Sequence, residues 1–417
     1  MGDRVILHCD CNSFFASVES VMNPELWNVP MAVAGNPENR HGIILAKNEL
    51  AKKYNVQTAE PIWQAKRKCP DLVCVPPHYE RYHDFYVRIN QIYLQYTDLV
   101  EPFSIDESYL DVTGTLHLFG KSPKELADEI RERVKREMGI TISIGVSFCK
   151  VFAKLGSDYK KPDATTIIGR EDMERIVYPL NVSELLFVGK KTTALLAGRA
   201  IHTVADLLVY DEAFLVKLLG KQGASLYRNI HGIENDPVRS FYDKYEVKSV
   251  SKGMTFKHDL TREDEVRCGV NLLSDSVAER LRAEHKKGYV IQVTIKDTSL
   301  KSIQRQRKLS APTHLKKQIY DVSMELIFEN WEIGKPIRLI SIGCGELVDE
   351  NTETFVQQSL FDLMGDSKSD GTISDERQEK IEDAIADIRK KYGRKSINLG
   401  YTNTEEMGIG TLRREEE

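Results

Sequence analysis

The stretch Phe103–Val112, FSIDESYLDV, sets two carboxylates, Asp106 and Glu107, inside a run with the apolar alternation of a buried strand. A charge is costly to bury without a partner. These two carboxylates therefore need a basic side chain, a proton or a metal ion. In a strand, neighbouring side chains face opposite sides of the sheet. Asp106 and Glu107 converge on one ligand only if the strand ends or twists there. On spacing alone, ion pairing with a nearby Arg or a capping role is favoured over metal binding.

Outward from that stretch, VILHCDCNSFFASVE, from Val5, reads as a strand running into a helix, with Asp10 at the strand's end. HGIILAKNELAKKYNV, from His41, is strand-like and then helical. Tyr82, Phe85, Ile89, Ile92 and Tyr96 recur at helical spacing before the opening stretch. After it, Ser122 and Glu125 form a capping box with Pro123 at the first helical position. Leu126, Ile130 and Val134 make the apolar stripe, and Gly139 is the stop. TISIGVSF, from Thr141, is a β-branched strand. The strand–helix–strand alternation predicts mixed α/β layering. Shorter helices run from Ser183 to Pro237, with a boundary near Val238. YVIQVTIKD, KSIQRQRKL and IRLISIGCGEL then alternate with helices around Leu272–Arg282 and Leu315–Phe328, which reads as a separate α+β domain. A polar tail follows Val348 and carries one helical island from Glu376.

Composition bounds the rest. The chain has 417 residues, 41% hydrophobic and 29% charged, which is a globular balance. No stretch approaches the ~18 apolar residues of a membrane span, so no membrane association is expected. Seven scattered cysteines without a C-x-x-C pair fit a reducing cytoplasm. The net charge of -5 hides an asymmetry: residues 246–346 carry 18 Lys+Arg against 14 Asp+Glu, and residues 347–417 carry 10 against 17. The first region suits a polyanion and the second avoids one.

Asp10, Asp106 and Glu107 form a hard-oxygen set of the kind that suits Mg²⁺. DCNSFFASVE, SIDESYLDV and KVFAKLGSDYKKP, in this order and spacing, resemble the palm motifs of the Y-family translesion DNA polymerases, the UmuC-like group. The resemblance runs from Val5 to about Leu347. It implies an α+β right-hand polymerase, with palm and fingers over 1–170 and a helix-hairpin-helix thumb over 171–238. A little finger over 239–348 follows (239–245 as linker), and then an acidic tail over 349–417. It implies a low-fidelity, distributive polymerase that adds dNTPs to a primer 3′-hydroxyl on damaged templates, working as a monomer. Asp10, Asp106, Glu107 and the carbonyl of Cys11 match the ligands of two Mg²⁺ ions, with Mn²⁺ as a possible substitute. Phe15 matches the ring that excludes a 2′-hydroxyl, and Phe14 packs near the nucleotide.

On the triphosphate side the family's Thr, Tyr and Arg are replaced by Ala46, Glu49 and Lys52, so phosphate contact rests on Lys52 and on Lys161. LLFVGKKTTALLAGRAIHTVADLL, from Leu185, resembles the thumb hairpin, with Gly189 and Lys190 at a DNA phosphate. Phe187 stands where the first glycine of that hairpin belongs. Lys301, Arg305 and Arg307 are expected to form a basic ridge against DNA. QQSLF resembles a sliding-clamp-binding peptide, with Gln357, Leu360 and Phe361 as its contacts. Two other readings use the same residues: a nucleotidyl cyclase on the same palm, and a DNA-binding subunit that kept the fold without the chemistry.

Overall fold

The structure is a computed structural model that describes residues 3–39, 42–243, 245–332, 334–352, 369–393 and 396–397; of residues 39 and 369–376 it describes the backbone alone. The chain forms two compact units, Met1–Gly35 with Ile43–Lys244, and Asn36–Gly42 with Tyr245–Glu417.

The first unit is organised by a five-stranded sheet of order β5-β6-β1-β7-β8. Its strands are β1 (Ile6–Cys11), β5 (Val100–Pro102), β6 (Glu107–Asp111), β7 (Ile142–Ser147) and β8 (Thr165–Ile168). β1 is central and antiparallel to both neighbours. All six of its residues are buried, because both faces of the sheet are covered. Helices α1 (Phe14–Met22), α4 (Tyr79–Tyr93) and α6 (Pro123–Met138) join one core with Leu7, Cys9, Leu110 and Ile144. The capping box of Ser122 and Glu125 forms as read, and Gly139 ends α6 in the left-handed conformation that glycine adopts without a Cβ penalty. A small helix α5 (Leu116–Phe119) bridges β6 and α6.

Helix α7 (Lys150–Tyr159) lies directly on β7. A Cβ at Gly145 would stand 1.8 Å from the carbonyl oxygen of Ala153. The glycine is thus what lets the helix backbone approach the sheet. Gly145→Ala is expected to cost about 3 kcal/mol or more, since backbone must move. A thermal melt with a midpoint unchanged within 2 °C would contradict this (about 3 kcal/mol corresponds to roughly 6 °C or more in a unit of this size).

A second sheet, β3-β2-β4, is built from β2 (Met31–Ala34), β3 (Ile44–Lys47) and β4 (Val73–Val75), with α2 (Glu49–Lys52) and α3 (Ile62–Lys68). Four further helices follow: α8 (Lys190–Ala197), α9 (Val204–Leu207), α10 (Glu212–Leu219) and α11 (Lys221–Ile230). They share a core with α7 through Phe152, Leu155, Leu196 and Leu226.

The second unit holds an antiparallel sheet of order β11-β10-β12-β9, formed by β9 (Ser249–Leu260), β10 (Lys286–Lys296), β11 (Ser302–Thr313) and β12 (Ile337–Asp349). Helices α12 (Glu263–Ala283) and α13 (Lys316–Asn330) cover one of its faces. The helical island of the tail is longer than its sequence pattern suggests: α14 spans Ser369–Tyr392. Among the described residues no helix is long and apolar enough to cross a membrane.

Candidate active site

The opening puzzle is resolved by where β6 begins. The strand starts at Glu107, and Asp106 sits in the bend before it. The two carboxylates therefore escape strict alternation. Glu107 is the direct register partner of Asp10 across β1 and β6, so both side chains share one face. The backbone carbonyl of Asp106 accepts from the Cys11 amide at 3.0 Å, which fixes the bend against the end of β1. The Ser104 hydroxyl donates to Asp106 Oδ1 at 2.6 Å.

Lysines neutralise this cluster. Lys161 Nζ lies 2.7 Å from Asp10 Oδ2 and 2.8 Å from Asp158 Oδ1. Lys154 Nζ, from α7, lies 2.9 Å from Glu107 Oε1 and 3.9 Å from Asp10 Oδ2. His8 sits beneath, its Nε2 3.6 Å from Glu107 Oε2 and its Nδ1 2.8 Å from the Ser157 hydroxyl.

The environments of the two strand carboxylates push them apart. Burial raises the Asp10 carboxyl to about 7 despite the opposing Lys161 ammonium. Burial also pushes Glu107 up, but His8 and Lys154 outweigh it and hold that carboxyl below the usual range. Asp106 is raised by burial, with the Ser104 hydrogen bond opposing.

His8 and Lys154 escape a reading by motif. His8 lies mid-strand in an apolar run, and Lys154 reads as an ordinary helical lysine. The available signal is that Lys154 shares α7 with the buried Val151, Phe152 and Leu155, where a lysine needs an anion.

Phe15 is half-buried and stacks on Tyr82, with centroids 4.0 Å apart and an 11° interplanar angle; Tyr79 meets it edge-on at 6.1 Å. Tyr82 is held in turn by a 2.6 Å hydrogen bond to the buried Glu19. The placement of Phe14 corrects the expectation for it. It is 3% exposed, among Leu7, Val18 and Tyr82, so its ring is core and supports Phe15 from within.

Lys52 Nζ pairs with Glu49 Oε1 at 2.5 Å, and the same oxygen accepts from the Ser13 hydroxyl at 3.1 Å. Ala46 lies on β3.

At the hairpin, Phe187 takes the left-handed conformation at φ 67, which only the missing glycine would adopt freely. Gly189 is the N-cap of α8, no side chain caps it, and Lys190 is the first helical residue. A cavity of about 800 Å³ runs between this hairpin and the sheet, lined by Phe103, Tyr109, Phe187 and Arg228 among others.

The expected basic ridge is corrected more strongly. Arg305 and Arg307 share a face, as alternation requires. That face also carries Ile303 and Leu309 and belongs to the helices. Arg307 is clamped by Glu325 and Glu329 of α13, and Arg305 donates to Asn330 Oδ1 at 2.9 Å. Lys301 precedes the strand, in a turn closed by Asp297. The opposite face presents Gln292, Thr294, Gln304 and Gln306, with Ser341 and Gly343. Gln357, Leu360 and Phe361 lie outside the described residues.

Strand-end carboxylates beside a stacked aromatic ring, with a hairpin at hand, define a palm-type nucleotidyl-transferring polymerase. The chain matches the impB/mucB/samB family over residues 9–158 and that family's C-terminal domain over 247–360. It is 42% identical over 397 residues to the DNA polymerase IV of Acetivibrio thermocellus, covering 95% of this chain and 97% of that protein. It is 37% identical over 399 residues to DNA polymerase IV 1 of Bacillus subtilis, covering 96% of this chain and 93% of that one. A solved Y-family DNA polymerase chimera shares the fold at a TM-score of 0.72 and 22% identity, over 83% of this chain and 99% of that one. The chain belongs to the impB/mucB/samB family of Y-family polymerases, and it is a template-directed DNA polymerase of the translesion class.

Proposed function

We propose that Asp10, Asp106, Glu107 and the carbonyl of Cys11 hold two Mg²⁺ ions for nucleotidyl transfer. The observation that carries this is the register pairing of Asp10 with Glu107 at the strand end, with Asp106 in the adjoining bend. The donor set fits: it is hard oxygen throughout, and its charge is offset here by lysines that a cation would displace. When bound, the ions supply charge neutralisation and activation of the primer hydroxyl.

The chain's own groups do the positioning. Phe15, braced by Tyr82 and Tyr79, lies flat beneath a deoxyribose and leaves no room for a 2′-hydroxyl. Lys161, released from Asp10, turns to the triphosphate. Lys52 adds a point charge only after parting from Glu49, so its share is the smaller one. Gly189 and Lys190 place backbone N–H groups at a phosphate, independent of sequence. Residues 1–170 act as palm and fingers, 171–238 as thumb and 239–348 as little finger. Primer extension tests the metal assignment: chelation abolishes it and Mg²⁺ restores it, whereas extension that persists in chelator overturns it.

QQSLF is read as the docking peptide for a sliding clamp, with Leu360 and Phe361 in an apolar pocket and Gln357 at its rim. Replacing both Leu360 and Phe361 by Ala is expected to remove stimulation by a loaded clamp, since such anchors dominate small interfaces. Extension on a short oligonucleotide without clamp stays unchanged. A double variant stimulated like wild type rules the peptide out.

A further inference from the structure

Among the described residues one trio of His, Cys or carboxylate groups has its ligand atoms all within 4.8 Å of one another, and it lies away from the palm: His314, Glu350 and Glu379. They come from three places in the second unit. His314 links β11 to α13, Glu350 follows β12, and Glu379 is on α14.

His314 is 2% exposed. Its Nε2 lies 2.8 Å from Glu379 Oε1, which fixes that nitrogen as the protonated one in a neutral ring. Nδ1 is then a bare lone pair. It is buried with no hydrogen-bond partner, and it faces Glu350 Oε1 at 3.7 Å. That gap is too long for a hydrogen bond, and it sets a lone pair against a carboxylate. It suits two ligands of one ion: metal–ligand bonds of about 2.1 Å separated by 3.7 Å subtend about 120°.

The surroundings agree. Glu350 is steadied by its amide donating to the His285 carbonyl at 2.9 Å and by His285 Nδ1, 3.3 Å from Oε2. Glu379 is steadied by Lys287 at 3.2 Å. A carboxylate that holds the far N–H of a ligating histidine is the usual outer support of such sites.

We propose that His314 Nδ1 and Glu350 Oε1 bind a first-row divalent ion of the Zn²⁺ type, with Glu379 holding the histidine from its other edge. An imidazole donor favours this class of ion over Mg²⁺. The bound ion fastens the end of β12 to the β11–α13 link at His314, whose other edge is held by Glu379 of α14; Arg389 joins α14 to Asp275 of α12 at 2.9 Å. In sequence, these two anchors flank the segment that contains Gln357, Leu360 and Phe361.

The test is equilibrium dialysis of the full chain against ZnCl₂ in millimolar Mg²⁺, after chelation. Asp10→Asn and Asp106→Asn are included so that the palm carboxylates do not contribute. One Zn²⁺ per chain is expected, with binding lost on adding His314→Gln and weakened at least tenfold by adding Glu350→Gln, a change at a half-buried turn that leaves the fold intact. The bound ion is also expected to slow proteolysis within α14, and chelator to reverse this. No Zn²⁺ bound at micromolar concentration, or equal binding with His314→Gln and Glu350→Gln, overturns the proposal.

Discussion

Asp106→Ala is expected to lower single-turnover nucleotide insertion by at least about a thousandfold while DNA affinity stays within twofold. A thousandfold is about 4 kcal/mol of barrier. Asp106 sits in the bend before β6, where its carboxylate is free of the strand ladder and accepts a hydrogen bond from the Ser104 hydroxyl at 2.6 Å. Removing it disturbs little packing, so folding is retained. It takes away one of the oxygen donors that, on the proposed reading, would hold the ions, and transition-state charge stabilisation of this kind is the largest contribution in phosphoryl-type transfer. The proposed contacts to the duplex, at Gly189 and Lys190, lie on another element. Insertion within tenfold of wild type would show that Asp106 is not a metal ligand.

The second large effect concerns sugar choice. Phe15→Ala is expected to raise rNTP insertion relative to dNTP by well over tenfold, more than about 1.4 kcal/mol of discrimination. On the proposed reading the gate works by rigidity. Phe15 lies parallel to Tyr82 at 4.0 Å and is met edge-on by Tyr79, so it cannot swing away from a 2′-hydroxyl without breaking both ring contacts. Truncation opens that volume and leaves Tyr82 held by Glu19. Relative rates of ribo- and deoxynucleotide insertion opposite one template base check it, and an unchanged ratio would pass the role to another side chain.

The helix starts and the strands were legible because the physics that sets them is local, whereas the meeting of Asp10 with Glu107 across β1 and β6 was implied by the family resemblance. Asp10 in an apolar strand demands a partner, and SPKE announces a helix start. What was not legible depends on packing across distance. Phe14 and Phe15 are adjacent and chemically identical, and only the turn from β1 into α1 decides which one is core. Lys154 meets Glu107 because Gly145 lets α7 lie on the sheet, and His8 meets it as a diagonal neighbour across the β1–β6 ladder. Alternation correctly put Arg305 and Arg307 on one face but could not say which face α13 would cover. Once it is covered, Glu325 and Glu329 claim Arg307. Two readings stay outside this reasoning: the docking peptide lies beyond the described residues, and the exchange of the family's Thr and Tyr for Ala46 and Glu49 has no explanation in the structure.

The central claim is template-directed addition at the palm carboxylates. It is tested most directly by inserting single nucleotides into one primer on four templates that differ only in the next base, each with Mg²⁺ and with chelator. The account predicts that the favoured nucleotide changes with the template base, and that all four insertions stop in chelator. Insertion that ignores the template base, or none in Mg²⁺ or Mn²⁺ with Asp10, Asp106 and Glu107 intact, would contradict it.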